Sequence, residues 1–183
     1  MTEQIITKNF YNILIGGGSS ASNSTLVYMM KRDLNRTTVY GNGNSDLIQF
    51  LKQANTDHIP NYYKLYPVYY SKSLSGFTES EVYGRAYETN FDITGRRCLA
   101  AKDDSTGLNT GLKFITTHTN TSGSNEVING TLLIGGNSST DSSNYNLILT
   151  KFDADITLAP TESYQFTLDL PNLFQSFPAT LGS

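Results

Sequence analysis

Two histidines, His58 and His118, and a single cysteine, Cys98, are the side chains of this sequence best suited to acid–base or nucleophilic chemistry. A nucleophile needs a base within hydrogen-bond reach and a local motif that exposes it, such as the G-x-S-x-G elbow. His118 lies instead in a run of threonines with no Ser or Cys motif to serve, and it reads as a surface or rim histidine. Cys98 follows Arg96 and Arg97, whose charge would favour a thiolate. With no paired His motif, it reads as a small buried hydrophobe. Asp103, Asp104, Ser105 and Thr106 offer the oxygen ligands that Ca²⁺ takes. The ligand alternation and distal Glu of an EF-hand loop are missing, so the segment reads as a solvated loop. GGGSS (16–20) and GNGNS (41–45) are glycine-rich, yet neither continues into the G-K-[ST] that cradles phosphate, and both read as turns. Asp103, Glu79 and His58 would have to converge across loops to make an acid–base site, and their spacing points to none. No catalytic residue, cofactor or metal site is assigned on these grounds.

The residues with more to offer are aromatic. Tyr62, Tyr63, Tyr66, Tyr69 and Tyr70 crowd one short stretch, and tyrosine gives contact area with a polar tip at low entropy cost. They can pack inward or form a recognition surface, and core packing plus a subunit interface is the favoured reading. Glycan stacking ranks below it, because the chain has no Trp, the residue with the largest stacking face. The ends of the chain supply the second group: Phe10, Tyr11 and Leu14 near one terminus, Leu173, Phe174 and Phe177 near the other. Phe10, Leu14, Phe174 and Phe177 would each cost roughly 1.5–3 kcal/mol to leave in water. They must cover the domain's own ends or grip a neighbour.

The elements that would position these residues are mostly strands. In DITLAPTESYQFTLDL (155–170), Tyr164, Phe166, Leu168 and Leu170 share one face while Gln165, Thr167 and Asp169 share the other. That is the period of a half-buried strand, and the segment reads as a hairpin around a Pro-bearing turn. LKFITTHTNT, EVINGTLLIGG and YNLILTKFDA read as further strands, and LVYMMKRDLNRTTVY as two short ones around a turn at 33–35. YYKLYPVYY (62–70) is broken by Pro67, which cannot donate to a ladder and so predicts an edge strand or a bend. EVYGRAYETNFDI (81–93) predicts one or two strands, and KDDSTGLNTG (102–111) a loop. Residues 4–15 place Ile5, Ile6, Phe10, Ile13 and Leu14 at helical spacing before Gly16–Gly18 and predict an amphipathic helix; DLIQFLKQA (46–54) predicts another. Three regions follow: a helix/strand segment over 1–54, a β-sandwich over 55–170 and an extended arm over 171–183.

Composition agrees with this all-β reading. Only 38% of the 183 residues are apolar, and the deficit is filled by Asn, Ser, Thr and Gly rather than by charge, which stands at 16%. The 12 Tyr and 9 Phe must therefore carry much of the burial. A net charge of −3 gives no electrostatic footprint for nucleic acid or an anionic membrane. One cysteine allows no intrachain disulfide. No apolar run approaches a membrane span, and the first residues lack the basic start and apolar core of a signal peptide, so a soluble, cytosolically made protein is expected. The sequons at Asn23, Asn35, Asn120, Asn129 and Asn137 are what chance supplies in a chain this rich in Asn, Ser and Thr.

Two stretches carry a resemblance. KFITTHTNTSGSNEVINGTLLIGG (113–136) resembles a strand–turn–strand unit of small immunoglobulin-like proteins encoded among the virion genes of tailed bacteriophages, with Ile128 and Asn129 at the start of the second strand. LILTKFDADITLAPTESYQFTLDL (147–170) is similar to the unit that follows, and the order and spacing agree. Thr161 stands where that pattern has Gly in an A-P-G-E-S turn, which implies a turn without a positive φ. NYYKLYP replaces a Gly/Thr/Pro-rich segment ending in D-Y.

The resemblance implies an immunoglobulin-like or jelly-roll-like antiparallel β-sandwich with short N-terminal helices. It implies a non-enzymatic virion protein of the head, collar or tail, made in the host cytoplasm and partnered by itself and other virion proteins, with no direct nucleic-acid or membrane binding. The competing expectation is a receptor- or glycan-binding module of a viral spike or cell-surface adhesin, with a host-surface glycan as partner.

Overall fold

The computed structural model describes residues 2–11, 25–30, 36–41, 63–83, 93–102, 109–136 and 144–170. Nine strands are described: β1 (Glu3–Ile6), β2 (Thr25–Met30), β3 (Arg36–Gly41), β4 (Tyr63–Val68), β5 (Ile93–Lys102), β6 (Asn109–Thr119), β7 (Glu126–Gly136), β8 (Asn144–Leu158) and β9 (Ser163–Leu170). They form a four-stranded sheet in the order β1-β8-β7-β4, a three-stranded sheet in the order β5-β6-β9, and the separate pair β2-β3. Every pairing is antiparallel. The fold is an antiparallel β-sandwich, as expected.

The side chains explain why the two sheets close on each other. On β9, Phe166, Leu168 and Leu170 are buried while Gln165, Thr167 and Asp169 are exposed. Their partners on β6 are Thr116, Phe114 and Leu112, so one ladder carries an apolar row along its inner face. The facing row of the other sheet runs Leu65–Leu133–Ile148–Ile6 across β4, β7, β8 and β1. All but the partly buried Ile6 are at most 1% exposed, and the two rows meet in one core with Phe10 and Leu158. Each such side chain contributes about 1.5–3 kcal/mol on burial.

The four-stranded sheet is covered on its second face as well. Tyr66, Leu132, Leu149 and Ile5 form the adjacent cross-strand row. They pack with Val68, Tyr70, Leu74, Phe77 and Val82, which the chain brings over the sheet as it leaves β4. This covering segment contains the 3-10 turn Leu74–Gly76 and the short helix Glu79–Tyr83. Thr78 and Glu81 form a capping box at the helix start: the Thr78 N–H donates to the Glu81 carboxylate at 2.7 Å, and the Glu81 N–H donates back to the Thr78 hydroxyl at 3.3 Å.

β8 departs twice from a regular ladder with β7. Leu133 faces Ile148 and Ile134 faces Asn146, so Leu147 is an extra residue, and both Leu147 and Ile148 enter the core. Farther along, Gly130 faces Lys151 while Ile128 faces Ile156, leaving Asn129 opposite the four residues 152–155.

Connectivity corrects the hairpin expected over 155–170. β8 pairs with β7 and β9 pairs with β6, so the turn 159–162 crosses from one sheet to the other. The segment 120–125 crosses in the same way between β6 and β7. The four strands are one long two-stranded ribbon folded over on its own apolar face.

Three further expectations are corrected. The helix over 4–15 is a strand over Glu3–Ile6, followed by a helical turn at 8–11. Both faces of β1 are covered, so Ile5 and Ile6 pack on opposite sides of the sheet, and no period-2 pattern results. The strand expected from residue 81 begins as the helix Glu79–Tyr83, because the capping box sets it. The loop over 102–111 already contains the end of β5 and the start of β6. The β2–β3 hairpin stands as expected, and β4 with Pro67 is an edge strand. The helix expected over 46–54 and the arm over 171–183 lie outside the described residues.

Candidate functional site

The tyrosine cluster divides on the structure. Tyr70 is 0% exposed and is the most heavily engaged of the described tyrosines of the group. Its hydroxyl donates to the Thr131 carbonyl at 2.9 Å, and its ring lies against Gly130, where a Cβ would come within 2.5 Å of the ring. Its backbone is held by Asn129. The Tyr70 N–H donates to Asn129 Oδ1 at 2.7 Å, and Asn129 Nδ2 donates to the Tyr70 carbonyl at 3.0 Å. Lys151 Nζ donates to the same carbonyl at 2.9 Å and to that of Lys72 at 3.1 Å. A side-chain amide thus continues the ladder where β4 has ended, using the residue that β8 leaves without a register partner. Tyr66 is partly buried in the second core, and Tyr69 points outward at 48% exposure. Tyr62 and the side chain of Tyr63 lie outside the described residues.

Phe10, expected either to cover the domain's own end or to grip a neighbour, is 0% exposed and packs in the domain's own core. Its segment is anchored by Thr7, whose hydroxyl donates to the Asn146 carbonyl at 2.9 Å, and by Thr7 N–H, which donates to the Leu147 carbonyl at 2.9 Å. Tyr11 is 47% exposed, its ring edge-on to Phe10 at 6.2 Å. Leu14, Leu173, Phe174 and Phe177 lie outside the described residues.

The crossover end of the sandwich holds the buried polar side chains of Asn120 and His118. Asn120 is fully buried and joins the two crossovers. Its Nδ2 donates to the carbonyls of Ser124 at 2.8 Å and Leu158 at 2.9 Å, and its Oδ1 accepts from the Ser122 N–H at 2.8 Å. Its backbone N–H donates to the Glu162 carbonyl at 2.9 Å, and its carbonyl accepts from Thr161 N–H at 2.8 Å.

The expectation of a turn without positive φ is overturned here, since Thr161 sits at φ 69°. Pro160 and Thr161 take the central positions, and Glu162 N–H donates to the Ala159 carbonyl at 3.0 Å, the pattern of a type II turn. The bond from Thr161 to Asn120 offsets what the missing Gly would have saved.

His118 is 1% exposed, not on the rim, and its Nε2 lies 2.7 Å from Glu126 Oε2 across the first crossover. A pairing so enclosed ties β6 to β7. Among the described residues, no group of three or more His, Cys, Asp or Glu could hold a metal ion, and no helix is long and apolar enough to cross a membrane. Cys98 falls on β5, while His58 and Asp103–Thr106 lie outside the described residues.

Asn120, Asn129 and Lys151 were not singled out by their chemistry, because their partners are distant in sequence: Tyr70 is 59 residues from Asn129. The one local signal was N-T-S at 120–122, an Asx-type turn in which Asn bonds its own backbone two residues on. Asn120 and Asn129, at 0% and 3% exposure, are also too enclosed to act as glycan acceptors. Comparison with protein-family models, characterised proteins and solved structures finds no match.

Proposed function

We propose that the protein is a non-enzymatic structural subunit of a virion, a head, collar or tail component that works by assembling with copies of itself and with neighbouring virion proteins. The observation that carries this reading is the fate of the two resembling stretches, 113–136 and 147–170. They coincide with β6–β7 and β8–β9 and fold together as one ribbon, tied at its crossovers by Asn120. Two buried amides of that ribbon are used on backbone, Asn120 and Asn129 each holding main-chain atoms of other elements, and His118 is closed against the Glu126 carboxylate. Side chains used this way hold a rigid scaffold.

The test is compositional. Particles purified from cultures expressing the chain, banded on a density gradient and washed in high salt, are expected to retain it in fixed stoichiometry by mass spectrometry. A chain abundant in the lysate but absent from intact particles would overturn the assignment. Binding to a glycan array by the isolated protein would favour the receptor-binding reading in its place.

A further inference from the structure

The two sheets of the sandwich have four edges, and three carry devices that discourage further strand pairing. β1 is only four residues long. β4 contains Pro67, which removes a donor. β5 is interrupted by two irregularities in its register with β6, and its sequence carries Arg96, Arg97 and Lys102.

β9 has none of these. It is eight residues long, pairs with β6 without a register shift from Leu112–Leu170 to Thr119–Ser163, and contains neither Pro nor Lys nor Arg. Among the described residues no strand pairs with its outer side. The phase of its hydrogen bonds follows from the crossover, where Asn120 N–H donates to the Glu162 carbonyl. Counting by twos along an antiparallel ladder, Tyr164, Phe166 and Leu168 exchange bonds with β6, and Ser163, Gln165, Thr167 and Asp169 turn their N–H and C=O groups outward.

We propose that this edge pairs with β9 of a second copy of the chain, antiparallel about a two-fold axis, making one continuous six-stranded sheet from two three-stranded ones. Three features select a second copy as the occupant. A two-fold pairing keeps inner faces with inner faces, so only registers that match like parity arise. In each register centred on residues 165 to 167, Asp169, the only charge on β9, meets Thr161, Ser163 or Gln165 rather than another carboxylate. Asp169 is also already paired with Lys113 at 3.5 Å. Finally, Tyr164 belongs to the inner-face row yet is 44% exposed, with Phe166 at 4.9 Å between ring centroids. The same registers bring Phe166, Leu168 or Leu170 of the second copy opposite it and cover the ring. Main-chain bonds would supply the affinity and the Tyr164 contact the register. The pairing follows from the edge itself and stands whether or not the virion reading does.

The experiment compares the solution mass of the full chain with those of Thr167→Pro and of a Gln165→Lys, Thr167→Lys double variant, by light scattering at the highest soluble concentration. Thr167→Pro removes an outward N–H and leaves the β6 ladder intact; the lysines keep every backbone bond and set like charges across the axis. The full chain is expected to have twice the mass of both variants, with the same far-ultraviolet circular dichroism. A monomeric full chain would overturn the proposal, as would a lysine variant that is folded and keeps the parental mass. The lysine variant decides the matter if the proline variant fails to fold.

Discussion

Replacing Asn129 by Ala should be among the more damaging single changes in the described structure, although it removes a polar residue and leaves the apolar cores untouched. The side chain is 3% exposed and makes two bonds to one peptide segment, accepting from Tyr70 N–H at 2.7 Å and donating to its carbonyl at 3.0 Å. Truncation deletes both. The carbonyl keeps the Lys151 ammonium at 2.9 Å, so its loss is the smaller one. The N–H loses its acceptor inside the fold, which adds a desolvation cost of about 1–3 kcal/mol to the roughly 1 kcal/mol of the bond itself. A total of about 2–4 kcal/mol follows. For a domain of this size a loss of about 3 kcal/mol lowers the melting temperature by about 6–12 °C. Urea unfolding followed by circular dichroism gives the free energy, and an unchanged m-value confirms that the unfolded state is the same. Asn125→Ala, at an exposed position in the nearby crossover, is the control and should stay within about 0.5 kcal/mol of the parent. If Asn129→Ala matches that control, the amide is replaceable by water and the ladder past Val68 is held by something else.

Phe10→Ala should cost about 3–5 kcal/mol in the same assay, as for any large side chain in a closed core; a loss confined to assembly, with stability unchanged, would return Phe10 to an interface. Thr161→Gly should stabilise by about 0.5–1 kcal/mol, because Gly takes φ 69° without the penalty a β-branched residue bears there; destabilisation would mean the threonine side chain earns its place. Lys72 beside Glu81, with Thr78 donating from its N–H and hydroxyl, pulls the Glu81 carboxyl from 4.5 down to about 2. A folded pKa below the unfolded one gives stability that is complete above the unfolded value and is lost as pH falls through the folded one. Glu81→Gln should therefore flatten the decline of melting temperature between pH 4.5 and about 2, and an unchanged slope would refute the Glu81 carboxylate, held by Lys72 and Thr78, as a source of that decline.

What could be read from the sequence follows from which faces are wet. β9 alternates cleanly because one side meets solvent, and EVINGTLLIGG matched β7 residue for residue because turn chemistry bounds it. β1 escaped because Ile5 and Ile6 enter different cores, which removes the period and leaves a spacing that imitates a helix. GRRCLAA went unread because an arginine pair interrupts the alternation of β5. T-E-S-E at 78–81 did carry a helix-start signature, obscured by the strand-like aromatics after it. The Asn129–Tyr70 and Asn120–Thr161 ties could not be read at all, since each joins residues that only the finished topology makes neighbours.

The folded-over ribbon also orders events in time. β7 and β8 are separated by a short connection, so their pairing closes a small loop, and once it forms, β6 and β9 are already held near each other and can zip at little further entropic cost. β1 is different: Glu3 must find Lys151 and Ile6 must find Ile148. On a ribosome β1 is made well before the β8 edge it pairs with, so it is among the later of these strands to be placed, and Ile5 and Ile6 wait for β8 to emerge. During that interval the β1 segment lacks the β8 edge it will join, and this is the stage at which a chaperone, or the open β8 edge of another copy, would compete for it.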